Sequence, residues 1–156
     1  MRSFEETWFR SSGVLRLGGK LYRGEWGVWL EMAQALPGQE RVIPKEGGRK
    51  YDWQGRKLTY RLSGEDLGKI GSALEHLQPG ELVALVHRYQ GKQKTLQMVM
   101  AINGVLFVNG QGEGFKVSVP LDGEGIWRLR RCIAIAYEET ICQRTQRGHG
   151  SADPAT

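Results

Sequence analysis

Residues 56–80 read RKLTYRLSGEDLGKIGSALEHLQPG, and the apolar period changes partway along them. Over 56–62, Leu58, Tyr60 and Leu62 alternate with Lys57, Thr59 and Arg61, the period of a strand with one buried face. Ser63 and Asp66, three apart, then form a capping-box pair that opens a helix. Leu67, Ile70, Leu74 and Leu77 fall on one stripe of that helix, and Pro79-Gly80 ends it. A strand feeding directly into an amphipathic helix is the unit from which the fold is read.

Toward the C-terminus, the runs 82–89, 95–102, 105–108 and 115–119 read as strands. Gln90-Gly91-Lys92, Asn103-Gly104 and the glycine-rich segment 110–114 connect them. Asn-Gly between apolar runs is a strong hairpin signal. A second helix begins near Asp122, carries Ile126, Leu129, Ile133, Ala136, Tyr137 and Ile141 on its apolar stripe, and fades near Arg144. Toward the N-terminus, strands at 14–17, 20–36 (broken at Gly24 or Gly27) and 50–53 precede 56–62, so the same plan occurs twice. The expected fold is α+β: two four-stranded antiparallel β-sheets packed at an angle, each followed by a helix. Residues 1–13 are expected to be an N-terminal arm, 14–144 a single domain, and 145–156 a polar, disordered tail.

Placement of charge says more than its total. The 156 residues carry 22 Lys+Arg against 17 Asp+Glu, a formal +5. Between residues 41 and 61, Arg41, Lys45, Arg49, Lys50, Arg56, Lys57 and Arg61 oppose only Glu46 and Asp52. In 82–120, Arg88, Lys92, Lys94 and Lys116 oppose Glu113. The first helix is net acidic and the second is balanced. Positive charge therefore belongs to strands and hairpins, which points a polyanion at the sheets and argues against a helix in a DNA groove.

Sheet platforms suit single strands, whose unstacked bases lie on aromatic rings. Trp29 is placed on the strand face that also carries Arg23, opposite Val28, Leu30 and Met32. Tyr51 and Trp53 share a face inside the basic segment, and Tyr89 adjoins Arg88 and Lys92. A lone strand aromatic is more often core or interface, so Trp26, Tyr60 and Trp127 are assigned to packing. The expected contacts are Arg23, Lys50, Lys57, Arg61, Arg88, Lys92, Lys94 and Lys116 to phosphates, and Trp29, Tyr51, Trp53 and Tyr89 to bases. The competing class is a protein–protein scaffold whose sheet aromatics form an interface.

Tyr51-Asp52-Trp53, Arg56-Lys57 and the opening Leu62-Ser63 followed by Leu67-Gly68 resemble the Whirly family of single-stranded DNA-binding proteins. Tyr22-Arg23-Gly24-Glu25-Trp26 is similar to the family's YKGKA-type motif. The resemblance implies two four-stranded sheets each followed by a helix, a homotetramer assembled through the helices, and single-stranded DNA bound along the sheet edges with little sequence preference. It implies a place in DNA repair, recombination or transcription regulation. Related folds bind RNA, so single-stranded RNA stays open as the partner. Arg23 keeps the sign of the family's first lysine, whereas Glu25 reverses the second, which counts against assembly beyond a tetramer. The plant members' transit peptide and acidic aromatic tail have no counterpart, as expected of a bacterial, phage or plasmid version.

No catalytic constellation is visible, and no cofactor or metal is expected. His76, His87 and His149 are dispersed. Cys132 and Cys142 lie ten residues apart on one helix, roughly 15 Å along it, too far for a disulfide; they read as small buried hydrophobes in a reduced compartment. The 110–114 glycines lack the lysine and the following helix of a phosphate-binding loop. No apolar run of about 18 residues exists, so no membrane span is expected. The expected location is cytoplasmic, nucleoid-associated if the source is bacterial.

Overall fold

A computed structural model describes residues 3–152. Strands β1 (Phe4–Phe9), β2 (Gly13–Tyr22), β3 (Glu25–Gln34) and β4 (Lys57–Leu62) form one antiparallel sheet in that order, followed by helix α1 (Gly64–His76). Strands β5 (Leu82–Tyr89), β6 (Lys92–Met100), β7 (Leu106–Gly112) and β8 (Phe115–Leu121) form the second, followed by α2 (Gly123–Ala152). The capping box at α1 is present: Ser63 Oγ accepts from Asp66 N at 3.1 Å, and Ser63 N donates to Asp66 Oδ2 at 3.0 Å.

The first sheet departs from the sequence reading in its membership. Residues 4–9, expected in a loose arm, are β1, paired with β2 along its length. Their register puts Trp8 on the core face, fully buried, with Nε1 donating to Gly125 O at 3.2 Å. Residues 50–53, expected as a strand, make only the isolated bridge Ala35↔Tyr51. Pro37, Pro44 and the Gly47-Gly48 pair break the run on that side, so 35–56 is a long folded loop. The long run 20–36 divides at Arg23-Gly24, whose positive φ values of 52° and 79° make the tight hairpin between β2 and β3. In the second sheet β7 extends through Gly112, and the turn is Glu113-Gly114. Helix α2 runs past Arg144 to Ala152, into the segment expected as a disordered tail; the first proline after Arg144 is Pro154. Residues 153–156 of that tail lie outside the described residues.

One core joins the inner faces of both sheets with both helices: Leu15, Leu30, Met32 and Leu58 from the first sheet, Leu96, Val108 and Val119 from the second, Ile70 from α1 and Leu129 from α2. Polar ties fix the sheets against each other. Tyr60 Oη donates to Thr95 O at 2.6 Å, and burial pushes its phenol well above its ordinary value. The carbonyls on the free edge of β8 accept from the first sheet: Pro120 O from Arg10 Nε (3.1 Å), Ser118 O from Ser12 Oγ (2.5 Å) and Lys116 O from Gln34 Nε2 (2.5 Å). An edge that would otherwise invite another strand is thereby sealed from within the chain.

Candidate nucleic-acid interface

The outer face of the first sheet is built from the odd-numbered positions of β3 and their register partners. One row carries Gly18, Trp29 and Arg61; the next carries Arg16, Glu31 and Thr59. The Arg61 guanidinium sits 5.5 Å from the Trp29 ring centroid. Gly18 and Gly27 flank Trp29 without side chains, and a Cβ at Gly27 would come within 3.0 Å of Trp29 Nε1. The ring is half-buried, and its N–H has no acceptor among the described residues.

Glu31 organises the cations around that ring. It pairs with Arg16 at 2.9 Å and with Lys57 at 3.2 Å. Burial by itself would raise the Glu31 carboxyl, but hydrogen bonds and charge from Arg16 and Lys57 outweigh it and hold the group below its usual range. Arg16 also lies 4.3 Å over Trp53, an aromatic–cation stack that sequence reasoning missed because Arg16 is remote from the basic segment. The loop, tied back at the Ala35↔Tyr51 bridge, brings them together.

The loop 35–56 sorts its aromatics and cations by depth. Tyr51 is buried against Val14, Ala33 and Phe9, and its hydroxyl donates to Arg10 O at 2.7 Å. Burial raises its phenol. Tyr51 is thus a packing residue and offers no face to a base, contrary to the sequence reading. Arg49, 8% exposed, donates to Val42 O (3.1 Å), Ser11 O (2.9 Å) and Glu40 O (3.1 Å), so it organises the loop from inside. Arg41, Lys45, Lys50 and Arg56 remain exposed.

The second sheet contributes one end. By register, Val86, Thr95, Gln111 and Lys116 form a row, so the β5–β6 and β7–β8 hairpins leave the sheet at the same end. That end lies along β4. Lys94 Nζ donates to Thr59 O, between Lys57 and Arg61, and stands 5.5 Å from the Tyr60 ring. Lys94 is therefore half-buried and spent on tying the sheets, not on presenting charge. At the other end of β4, Arg56 Nη1 donates to Gln34 Oε1 at 3.0 Å, beside the Gln34–Lys116 contact. Tyr89 is 73% exposed at the hairpin tip with Lys92, while Arg88 Nε donates to Gln93 Oε1 at 3.2 Å. Lys92 and Lys116 form no ion pair among the described residues.

Contacts of Lys94 with Thr59 and of Gln34 with Lys116 and Arg56 thus set the hairpin end of the second sheet along β4, whose outer side carries Trp29, Lys57 and Arg61 with Arg16 and Trp53. Arg88, Tyr89 and Lys92 stand at the tip of the β5–β6 hairpin. Arg23 lies outside the strands. It occupies the β2–β3 turn, its guanidinium 5.2 Å from the Tyr22 ring, and does not share the Trp29 face as expected. Among the described residues no group of His, Cys, Asp and Glu is placed to hold a metal, and no helix is long and apolar enough to cross a membrane. Burial pushes the Cys132 thiol up to about 12, which keeps it a protonated core group.

No family model matches the sequence, and no curated protein matches it. Among solved structures the chain is similar to WHY3 from Arabidopsis thaliana, a Whirly protein, over 100% of this chain and 99% of that one, with a TM-score of 0.63 at 15% identity. The chain therefore has the Whirly fold: two four-stranded antiparallel sheets, each followed by a helix.

Proposed function

We propose that this protein binds single-stranded DNA, with little sequence preference and without catalysis, on the rim between β4 and the hairpins of the second sheet. The observation that carries the reading is the juxtaposition of Trp29 and Arg61 on the outer face of the first sheet with the Lys94 hairpin reaching Thr59 beside them. Lys57, Arg61, Arg88, Lys92 and Lys116, with the exposed Lys50 and Arg56, neutralise phosphates. Trp29, Trp53 and Tyr89 stack bases, each such contact contributing about 1–3 kcal/mol. Gly27, without a Cβ, gives the Trp29 ring room beside it, and no base-edge donor set converges there among the described residues, which supports sequence tolerance. The same chemistry accepts single-stranded RNA, the alternative ligand, since a 2′-hydroxyl reader is what would separate them.

Assembly to a homotetramer is proposed through the helices. Trp127, Tyr137 and Ile141 on α2 are 59%, 39% and 42% exposed, and the first two border a groove against Gly68 and Gly71 of α1. Ile133, on the same helix, is buried within its own chain. We place the protein in the cytoplasm, at the nucleoid if bacterial, in DNA repair, recombination or transcription regulation.

Titrating poly-dT while following tryptophan fluorescence at several salt concentrations tests the reading. Quenching is expected, with log affinity falling against log salt at about −0.7 per phosphate neutralised. An absence of binding at low salt defeats it and favours the scaffold reading, for which exposed Leu82 and Val86 on the second sheet, 53% and 52% accessible, are the motivating surface. A matched RNA oligomer in the same assay decides the alternative.

A further inference from the structure

The Arg16 side chain is engaged on two sides at once. Its guanidinium lies over the Trp53 ring, 4.3 Å from the centroid, while Nε and Nη2 donate to Glu31 Oε1 at 3.1 and 2.9 Å. The other carboxylate oxygen, Oε2, holds Lys57 Nζ at 3.2 Å. A chain of contacts thus runs Trp53, Arg16, Glu31, Lys57, from the loop across β2 and β3 to β4. Trp53 packs against Val14 and Ala33, which share the outer face of the sheet with Arg16. Each of the four side chains is only partly buried, so a ligand can reach the group from solvent.

This arrangement fills the places that a strand would use. A guanidinium and a nucleobase are both planar and both stack on aromatic rings. Arg16 therefore stands where a base would stand, and a base gains that face of Trp53 only when the guanidinium leaves. The charges are likewise committed. Arg16 and Lys57 share Glu31, so two cations and one carboxylate present a single positive charge to a phosphate. Neither tie is prohibitive. Ion pairs open to solvent are weak, and a phosphate accepts the same forked pair of N–H donors as a carboxylate.

We propose that the Arg16-covered face of Trp53 is a closed base subsite, and that Glu31 sets how readily a strand opens it. On binding, a base replaces the guanidinium on Trp53, Arg16 and Lys57 turn from Glu31 to phosphates, and the carboxylate is left to solvent. Arg16 is thereby a phosphate contact of the bound state, and Glu31 opposes binding while bracing the free protein. Such a closed state presupposes that strands bind this face, as proposed above.

Poly-dT affinity of the full chain over a range of salt concentrations tests the subsite, with melting curves to establish that each variant is folded. Glu31→Gln keeps the shape of the side chain and removes its charge. It should tighten binding at low salt by about fivefold, the scale of one ion pair that no longer competes. The salt slope should steepen by about 0.7 for each freed cation that reaches a phosphate. In a Trp53→Ala background the same substitution should yield less than about half that gain, because the stacking face it opens is gone. Arg16→Ala opens the face and deletes a phosphate contact together. It should bind more weakly than wild type at low salt and more tightly at high salt, where charge is screened and the stack is not. A Glu31→Gln variant that binds no tighter than wild type overturns the closed subsite. So does a gain equal in both backgrounds, which reduces Glu31 to general repulsion, or an Arg16→Ala variant weaker at every salt concentration. Any of these with wild type still binding leaves the strand-binding reading intact. Absence of poly-dT binding by wild type and all variants ends both, whereas binding that appears only with Glu31→Gln supports closure.

Discussion

The two sheets share a plan and differ in what they show to solvent. On the outer face of the first, Arg16, Trp29, Glu31, Lys57 and Arg61 form a charged aromatic surface braced by Glu31. The equivalent face of the second carries Ala84, Gln97, Asn109 and Ser118 in one row, neutral and short, with Ser118 Oγ donating to Asn109 Oδ1 at 2.6 Å. Charge in the second sheet is displaced to its hairpin end. Identical topology therefore does not dictate identical surface; the side chains at alternate positions, free of core constraints, assign one sheet to the platform and the other to its border.

The sharpest way to break the comparison is to remove what completes the first sheet. Trp8→Ala empties a fully buried site and severs the tie to Gly125, and should cost about 3–5 kcal/mol in urea unfolding. If the loss is under about 1 kcal/mol, β1 is an accessory and the two sheets are not equivalent units. Next in size, Trp29→Ala should weaken poly-dT binding by about 1–3 kcal/mol, whereas Gln97→Ala on the matching face of the second sheet should leave it unchanged. Equal effects at both positions would erase the distinction between platform and border.

Glu31 offers a smaller, pH-dependent test. Its folded-state pKa lies below the ordinary carboxylate value of 4.5, so the stability it contributes is present above that value. It is lost as pH falls through the folded pKa, where Arg16 and Lys57 lose their partner. Wild type should therefore lose more stability than Glu31→Gln between neutral and acidic pH, read as the difference in denaturant midpoints. Parallel pH profiles would show that the brace is energetically idle. The smallest expected effect is at the border: Lys92→Gln should lower the salt slope by about 0.7 and affect different sequences alike. Tyr51→Phe, at a buried packing position, should leave strand affinity unaltered even if the lost bond to Arg10 lowers stability.

Much of this was legible in order along the chain. The strand–cap–helix unit at 56–80 reads correctly because period, capping box and Pro-Gly stop all reside in adjacent residues. The second meander reads nearly as well, its turns marked by glycine and asparagine. Residues 4–9 and 50–53 exchanged roles for a non-local reason. Both are short and aromatic, and what selects β1 is a free edge on β2 together with Gly125 positioned to receive the Trp8 indole. Among the candidate contacts, Tyr51 and Lys94 carry the right chemistry in sequence, but depth reassigns them to packing and to the tie between sheets, as it turns Arg49 of the same basic segment to bracing the loop.

The sequence by itself determined the number and order of most elements, the segregation of positive charge to strands and hairpins, and the α+β class, because each follows from spacing over a few residues. Only the tertiary structure decided which cations face solvent, that Arg16 stacks on Trp53, and that the hairpins of one sheet border β4 of the other. Those outcomes depend on cross-strand register and on contacts between residues far apart in the chain. Their free energies reside in the packed arrangement, and no local period encodes them.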